Sequence, residues 1–138
     1  MTAPAAPIRK VVWANELPWR PMTEVVDNPA DQGRFKRLVH PDVNGAAGME
    51  FFVGLFRMEP GEYHPLHYHP NGAEFYYVLA GSGDFRVGDE WVAGQPGLAL
   101  YFPPFTRHAV RATGTMPLEI LYGFSPPDLK AVGMIWEE

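Results

Sequence analysis

Glycine and proline punctuate this chain so densely that a long helix has no room to form: 14 glycines and 15 prolines fall within 138 residues. Glycine weakens a helix interior through backbone entropy, and proline through its missing N–H and a steric clash. The apolar stretches between them are short and rich in Val, Phe and Tyr, residues that suit a pleated, half-buried surface. One strand is expected from Phe35 to His40, ended by Pro41 and the loop "DVNGAAG", and another from Met49 to Met58, closed by the turn at Pro60-Gly61. The stretch "EFYYVLAGSGDFRVGDEWVAG" reads as two strands joined across Gly81-Ser82-Gly83, the second turning again at Gly88-Asp89. "GLALYFPP", "RHAVRAT" and "LEILYGF" follow as further short strands, and the tail from Ser125 adds a turn of helix or an extended edge. These signals predict an all-β chain, an antiparallel barrel or jelly roll of about six to eight strands.

The length suffices for one sizeable core and is short for two. Residues 23–138 are therefore expected to form a single barrel domain, and residues 1–22 an N-terminal extended arm that is disordered at its Ala/Pro-rich start, Met1 to Pro7. The two prolines between Ile8 and Met22 suit a sheet edge, so the arm is expected to lie against the barrel; Trp13 and Trp19 make it too aromatic to stand in water, so we also expect a homodimer in which it pairs with a neighbour's sheet edge.

Function classes are narrowed by charge and by what is missing. A formal charge of -5, with Arg34, Lys36 and Arg37 the only notable basic group, argues against nucleic acid as a partner. No apolar run reaches membrane-spanning length and no signal-peptide pattern opens the chain, so a cytoplasmic protein without a membrane partner is expected. Cysteine is absent, which removes disulfides and thiolate chemistry and leaves histidine and carboxylate as the available metal ligands.

The densest chemistry lies in "GEYHPLHYHPNGAEFYYVLAG". His67 and His69 are two apart, so on a strand both leave the same face, while Leu66 and Tyr68 point to the other. After the turn-forming "PNGA", Glu74 opens a strand that can run back beside the first and present a carboxylate to the same point. His-x-His alone is a weak signal, and an isolated pair is more often a surface feature than a ligand pair. His64 has opposite parity and is expected to face away from His67 as a rim histidine, the alternative being a mouth or proton-transfer role. Nothing beyond a strand end is read into His40.

The full spacing resembles the cupin superfamily at both of its signature motifs. Gly61, His67, His69, Glu74 and Gly81 occupy every fixed place of the first motif, and Gly97, Pro103 and His108 fit the second. Phe105 and Ala112 stand where the family has Gly and Asn. Since Phe is a poor choice for positive φ, the turn before His108 is expected to be shaped differently here. The resemblance covers Gly61 to Ala112 and implies a compact single-domain cupin, with Gly61, Gly81, Gly97 and Pro103 as structural turns. It also implies one divalent metal held by His67, His69, Glu74 and His108. Three neutral imidazoles and one carboxylate suit Fe(II) or Mn(II), with Ni, Co or Zn also compatible, and leave open positions for substrate.

Tyr76 shares parity with Glu74 and should enter the barrel, as an apolar wall or as a base. Cupin-type dimethylsulfoniopropionate lyases look similar here, with a Tyr two places after the metal-binding Glu. Arg57 is a candidate carboxylate clamp if it faces inward, the alternative being an exposed edge, and Tyr122 is a candidate substrate contact. Phe52, Phe56, Phe102, Trp91 and Tyr122 are expected in the core by default. The first functional expectation is an Fe(II)-type dioxygenase acting on a small organic substrate, and the second a metal-dependent lyase or isomerase. The third is a non-catalytic small-molecule-binding or sensing barrel.

Overall fold

The structure, a computed structural model, describes residues 6–138, so most of the Ala/Pro-rich start lies outside the described residues. Eleven strands appear among them, nine of four residues or more, against the six to eight expected. β1 (Arg20–Pro21) and β11 (Ile135–Trp136) are two-residue edges too short to leave a periodic signal. The others are β2 (Arg34–Val39), β3 (Phe52–Met58), β4 (Tyr63–Tyr68), β5 (Ala73–Ala80), β6 (Ser82–Val87), β7 (Glu90–Gly94), β8 (Ala99–Phe102), β9 (His108–Thr113) and β10 (Leu118–Ser125). Two four-residue α-helices, α1 (Pro41–Asn44) and α2 (Leu129–Val132), and two three-residue 3-10 turns, Ala14–Glu16 and Met22–Glu24, complete the order. No helix among the described residues is long and apolar enough to cross a membrane.

All strand pairs are antiparallel, and they form two facing sheets, β1-β2-β3-β10-β5-β8 and β11-β4-β9-β6-β7. Alternation along the strands decides what enters the space between them. On β5, Glu74, Tyr76 and Val78 are buried while Phe75, Tyr77 and Leu79 are exposed, and on β3 Phe52, Gly54, Phe56 and Met58 take the buried positions. Phe35, Met58, Val78, Phe85, Val110, Leu118 and Ile120 are among the side chains that pack the core. Trp91 departs from expectation: on the edge strand β7 it is 52% exposed.

Consecutive strands often change sheets. The Gly81 link is not a hairpin, because β5 lies in the six-stranded sheet and β6 in the other, whereas β6 and β7 do form a tight hairpin with Val87 opposite Glu90. Gly81 makes this crossing at φ 75°, and a Cβ there would meet the Pro117 carbonyl oxygen at 2.3 Å. Both conditions require glycine. Gly61 and Gly97 also hold positive φ, at 87° and 102°, and the Pro103 carbonyl accepts a hydrogen bond from Thr106 N–H at 3.1 Å.

The arm lies against its own barrel. β1 pairs with β2, Lys36 Nζ donates to Ala14 O at 2.8 Å, and Met22 is buried in the core. Trp19 is capped by Lys36 Nζ at 4.7 Å from its ring and by the Arg57 guanidinium at 5.9 Å, which removes half the reason for an intermolecular arm. Trp13 remains 64% exposed.

Candidate metal centre

β4, β5 and β9 bring together His67, His69, Glu74 and His108, all buried, with one potential ligand atom from each lying within 4.8 Å of the others. The convergence is not between neighbouring strands, as the sequence suggested. β4 and β5 belong to different sheets, so Glu74 meets the histidines across the interior, while His67 sits opposite His108 on the paired strands β4 and β9. Glu74 Oε1 is 2.8 Å from His108 Nε2 and 3.3 Å from His69 Nε2. The ring of Phe102 lies parallel to His108 at 4.1 Å and fixes its plane.

The other ring nitrogens decide what these atoms offer. His67 Nδ1 contacts Pro65 O at 2.8 Å, His108 Nδ1 contacts Thr106 O at 2.9 Å, and His69 Nδ1 contacts Gly133 O at 2.6 Å. A carbonyl oxygen only accepts, so each Nδ1 carries the proton and each neutral ring turns an Nε2 lone pair towards the cluster. Backbone carbonyls commonly orient metal-binding histidines in this way. Were both rings neutral, lone pairs of His108 and His69 would face the Glu74 carboxylate with nothing between them; a proton held there, or a cation at the centre in its place, resolves this.

Burial, reinforced by the neighbouring His108, His64 and His69, pushes His67 well below its ordinary 6.5 and keeps it neutral. Burial alone would raise Glu74, but the attraction of His69 and its hydrogen bonds with His108 and His69 outweigh that and hold its carboxyl down at about 2. Burial likewise opposes ionisation of His69, and Glu74 more than offsets it, so His69 is raised. The residues present fit a divalent cation: neutral imidazole nitrogens and an ionised carboxylate, gathered in a dry pocket.

A cavity of about 200 Å³ opens beside the cluster. Phe35, Phe52, Phe56 and Phe124 supply aromatic walls, and Met22, Leu129 and Met134 further apolar lining. Tyr76 lines it, as the parity it shares with Glu74 predicted, and so does Tyr122. Burial, with Glu74 adding to it, raises Tyr76 well above 10 and Tyr122 upward too, so in the metal-free protein both phenols stay protonated.

Three expectations change. His64 does not face away: it is 4% exposed, lines the cavity, and its ring centroid lies 4.6 Å from that of His67. Across β4 and β9, His64 pairs with Val110 and His67 with His108, so three steps on one strand match two on the other and a bulge reverses the parity. Arg57 points out of the barrel, bound to Glu119 Oε1 at 2.9 Å, because the alternation of β3 gives the interior to Phe56 and Met58. Phe105 adopts φ 70°, so the turn keeps a left-handed residue despite its Cβ. Sequence reasoning also missed His40 and Arg37 as cavity residues and the buried Asp31 behind His64. The only sign of Asp31 was the "DQG" turn it begins.

The cupin-domain family Cupin_2 matches residues 54–124, more than half of the chain. The chain belongs to the cupins. It is 32% identical over 110 residues to Protein SchB of Streptomyces halstedii, covering 77% of this cupin and 78% of that protein. It is 30% identical over 105 residues to the Tetracenomycin polyketide synthase protein TcmJ of Streptomyces glaucescens, covering 76% and 69%. Among solved structures, the polyketide cyclase RemF from Streptomyces resistomycificus superposes with a TM-score of 0.77 at 19% identity, covering 95% of this cupin and 87% of RemF, which bears on the fold alone.

Proposed function

We propose that this cupin is a metal-dependent enzyme acting on a carbonyl-rich substrate of the polyketide type, polarising a carbonyl so that the adjacent C–H gives up its proton to water and enolisation or ring closure follows. The observation that carries this reading is the set of inward-turned Nε2 atoms at the wall of an aromatic cavity. The similarity to a tetracenomycin polyketide synthase protein supports the substrate class. His67, His69, Glu74 and His108 would hold a divalent cation, which would supply Lewis acidity to a carbonyl oxygen. Protonated Tyr76 and Tyr122 donate hydrogen bonds to substrate oxygens, a role their raised pKa favours over that of a base. Phe52, Phe56 and Phe124 stack on a planar carbon skeleton.

The second reading is the Fe(II)-type dioxygenase, favoured by the three-histidine, one-carboxylate donor set. One experiment separates the two. Protein loaded anaerobically with Fe(II), Mn(II), Ni(II), Co(II) or Zn(II) is given 1,3-diketones and linear poly-β-ketone mimics in D2O, then air. Deuterium uptake or cyclised product without oxygen consumption supports proton transfer. Oxygen consumption with oxygenated product moves the assignment to the dioxygenase. No exchange, consumption or binding with any of these metals sinks both.

We also infer a homodimer, formed on the outer face of the six-stranded sheet rather than through the arm. Phe75, Tyr77, Leu79 and Tyr101 are exposed side by side there, with Phe75 paired opposite Tyr101.

A further inference from the structure

His64 and Asp31 form a buried pair for which neither metal binding nor packing accounts. The Asp31 side chain is fully buried, its Oδ1 accepts Gly33 N–H at 3.0 Å, and its Oδ2 lies 2.9 Å from His64 Nδ1. The loop carrying Asp31 is tied to β4 on both sides of Gln32, whose N–H donates to Tyr63 O at 3.2 Å and whose Oε1 accepts Tyr63 N–H at 2.9 Å. Gly33 lets this loop pass close under the barrel, since a Cβ there would meet the Phe56 ring at 2.2 Å. The pair is thus held from three directions.

A carboxylate only accepts, so His64 Nδ1 carries the proton, and in the neutral ring Nε2 is left as a lone-pair acceptor. His64 Nε2 has no partner among the described residues, yet it is not sealed in: Arg107 Nε is the side-chain atom found both buried and unpartnered. His64 lines the cavity, so Nε2 is its polar contribution there. Tyr76 and Tyr122 supply donors to the same cavity, and His64 adds to them, next to the metal cluster, an acceptor whose direction Asp31 fixes.

We propose that His64, locked by Asp31, is a substrate-recognition residue whose Nε2 accepts a hydrogen bond from an enolic or phenolic hydroxyl of a ligand whose neighbouring oxygen occupies the metal cluster. Asp31 is the positioning residue. The inference rests on the functional reading above and sharpens it from carbonyl-rich compounds to hydroxy-carbonyl compounds, excluding those in which the hydroxyl is alkylated.

The test uses Co(II)-loaded full-length protein and two probes, salicylate and 2-methoxybenzoate, which differ in the hydroxyl donor. Affinities are measured by calorimetry for wild type, His64→Phe and Asp31→Asn, with azide as a ligand that reports on the metal alone. Any preference due to chelation is common to wild type and variants and cancels in the ratio. The preference for salicylate is expected to fall by about tenfold in His64→Phe, the worth of one hydrogen bond to a well-placed acceptor, with azide affinity unchanged. In Asp31→Asn, an amide that keeps its oxygen on Gly33 N–H offers its NH2 to His64 Nδ1, so Nε2 becomes a donor and the preference should disappear there too. A purely structural role for Asp31 would not move that ratio. If both probes bind wild type and the preference survives His64→Phe, this inference falls alone. If neither probe binds the loaded wild-type protein, the functional reading falls and takes this one with it.

Discussion

Replacing Phe105 by glycine should make the protein more stable although it deletes a large side chain. Phe105 holds φ 70°, and a left-handed conformation costs an L-residue about 1–2 kcal/mol. Little packing opposes the change, because Phe105 is 65% exposed and its ring centroid stands 6.0 Å from that of Tyr68. The backbone hydrogen bond from Phe105 N–H to His69 O, 3.0 Å long, survives in glycine. Against the gain stands the extra freedom of glycine in the unfolded chain, about 0.4–1 kcal/mol. The net expectation is a stabilisation of about 0.5–1 kcal/mol, read as a rise of about 2–4 °C in Tm by scanning calorimetry and as a higher urea midpoint with unchanged slope. Phe105→Ala is the control, since it removes the ring but keeps the Cβ and hence the strain. An alanine variant that gained as much as the glycine variant would refute the backbone argument, and a glycine variant that lost stability would show that the Tyr68 contact outweighs it.

Glu74→Gln removes the only carboxylate of the cluster and should weaken divalent-metal binding by at least about tenfold, measured by metal-competition titration. Unaltered affinity would place the metal elsewhere. In metal-free protein, stability should peak near pH 6.5. Below it the unfolded chain protonates a histidine that folded His67 keeps neutral; above it the contribution of His69, whose folded pKa is raised, is lost. Below 4.5 the contribution of Glu74 also declines, vanishing as pH falls through about 2. Thermal midpoints that rise steadily as pH falls from 6.5 to 4.5 would contradict this. Tyr77→Arg, on the exposed face of β5, should yield a monomer by light scattering where the wild type is a dimer, with the thermal midpoint little changed. A wild-type monomer at high concentration removes the dimer.

How much of this was legible in the residues depended on whether strand parity held. On β5 it does, so once the motif resemblance put Glu74 at the metal, shared parity placed Tyr76 inside with it. On β4 a bulge between His64 and His67 breaks it, and the one sign of it in "YHPLHY" is Pro65, a residue that strand interiors accept mainly at bulges. Pairing between sheets was also hidden: the motif resemblance implies that Glu74 and the histidines converge, but strand order does not show that they do so across the interior. Phe105 illustrates a different limit. Local propensity argued against positive φ, while closure of the turn onto His69 imposes it. The three carbonyls that fix the histidine rings could not be read at all, because backbone oxygens belong to every residue and only the fold selects among them.

The bond from His69 Nδ1 to Gly133 O has a practical consequence for anyone transplanting this site. Two of the three ring-orienting carbonyls, those of Pro65 and Thr106, lie within the matched stretch 54–124, and the third lies beyond it, just after α2. A minimal barrel cut at the family boundaries would carry every candidate ligand and still leave one imidazole free to rotate. The portable unit is therefore larger than the motif: a graft that omits the C-terminal wrap carries the ligands without the full orientation of their rings.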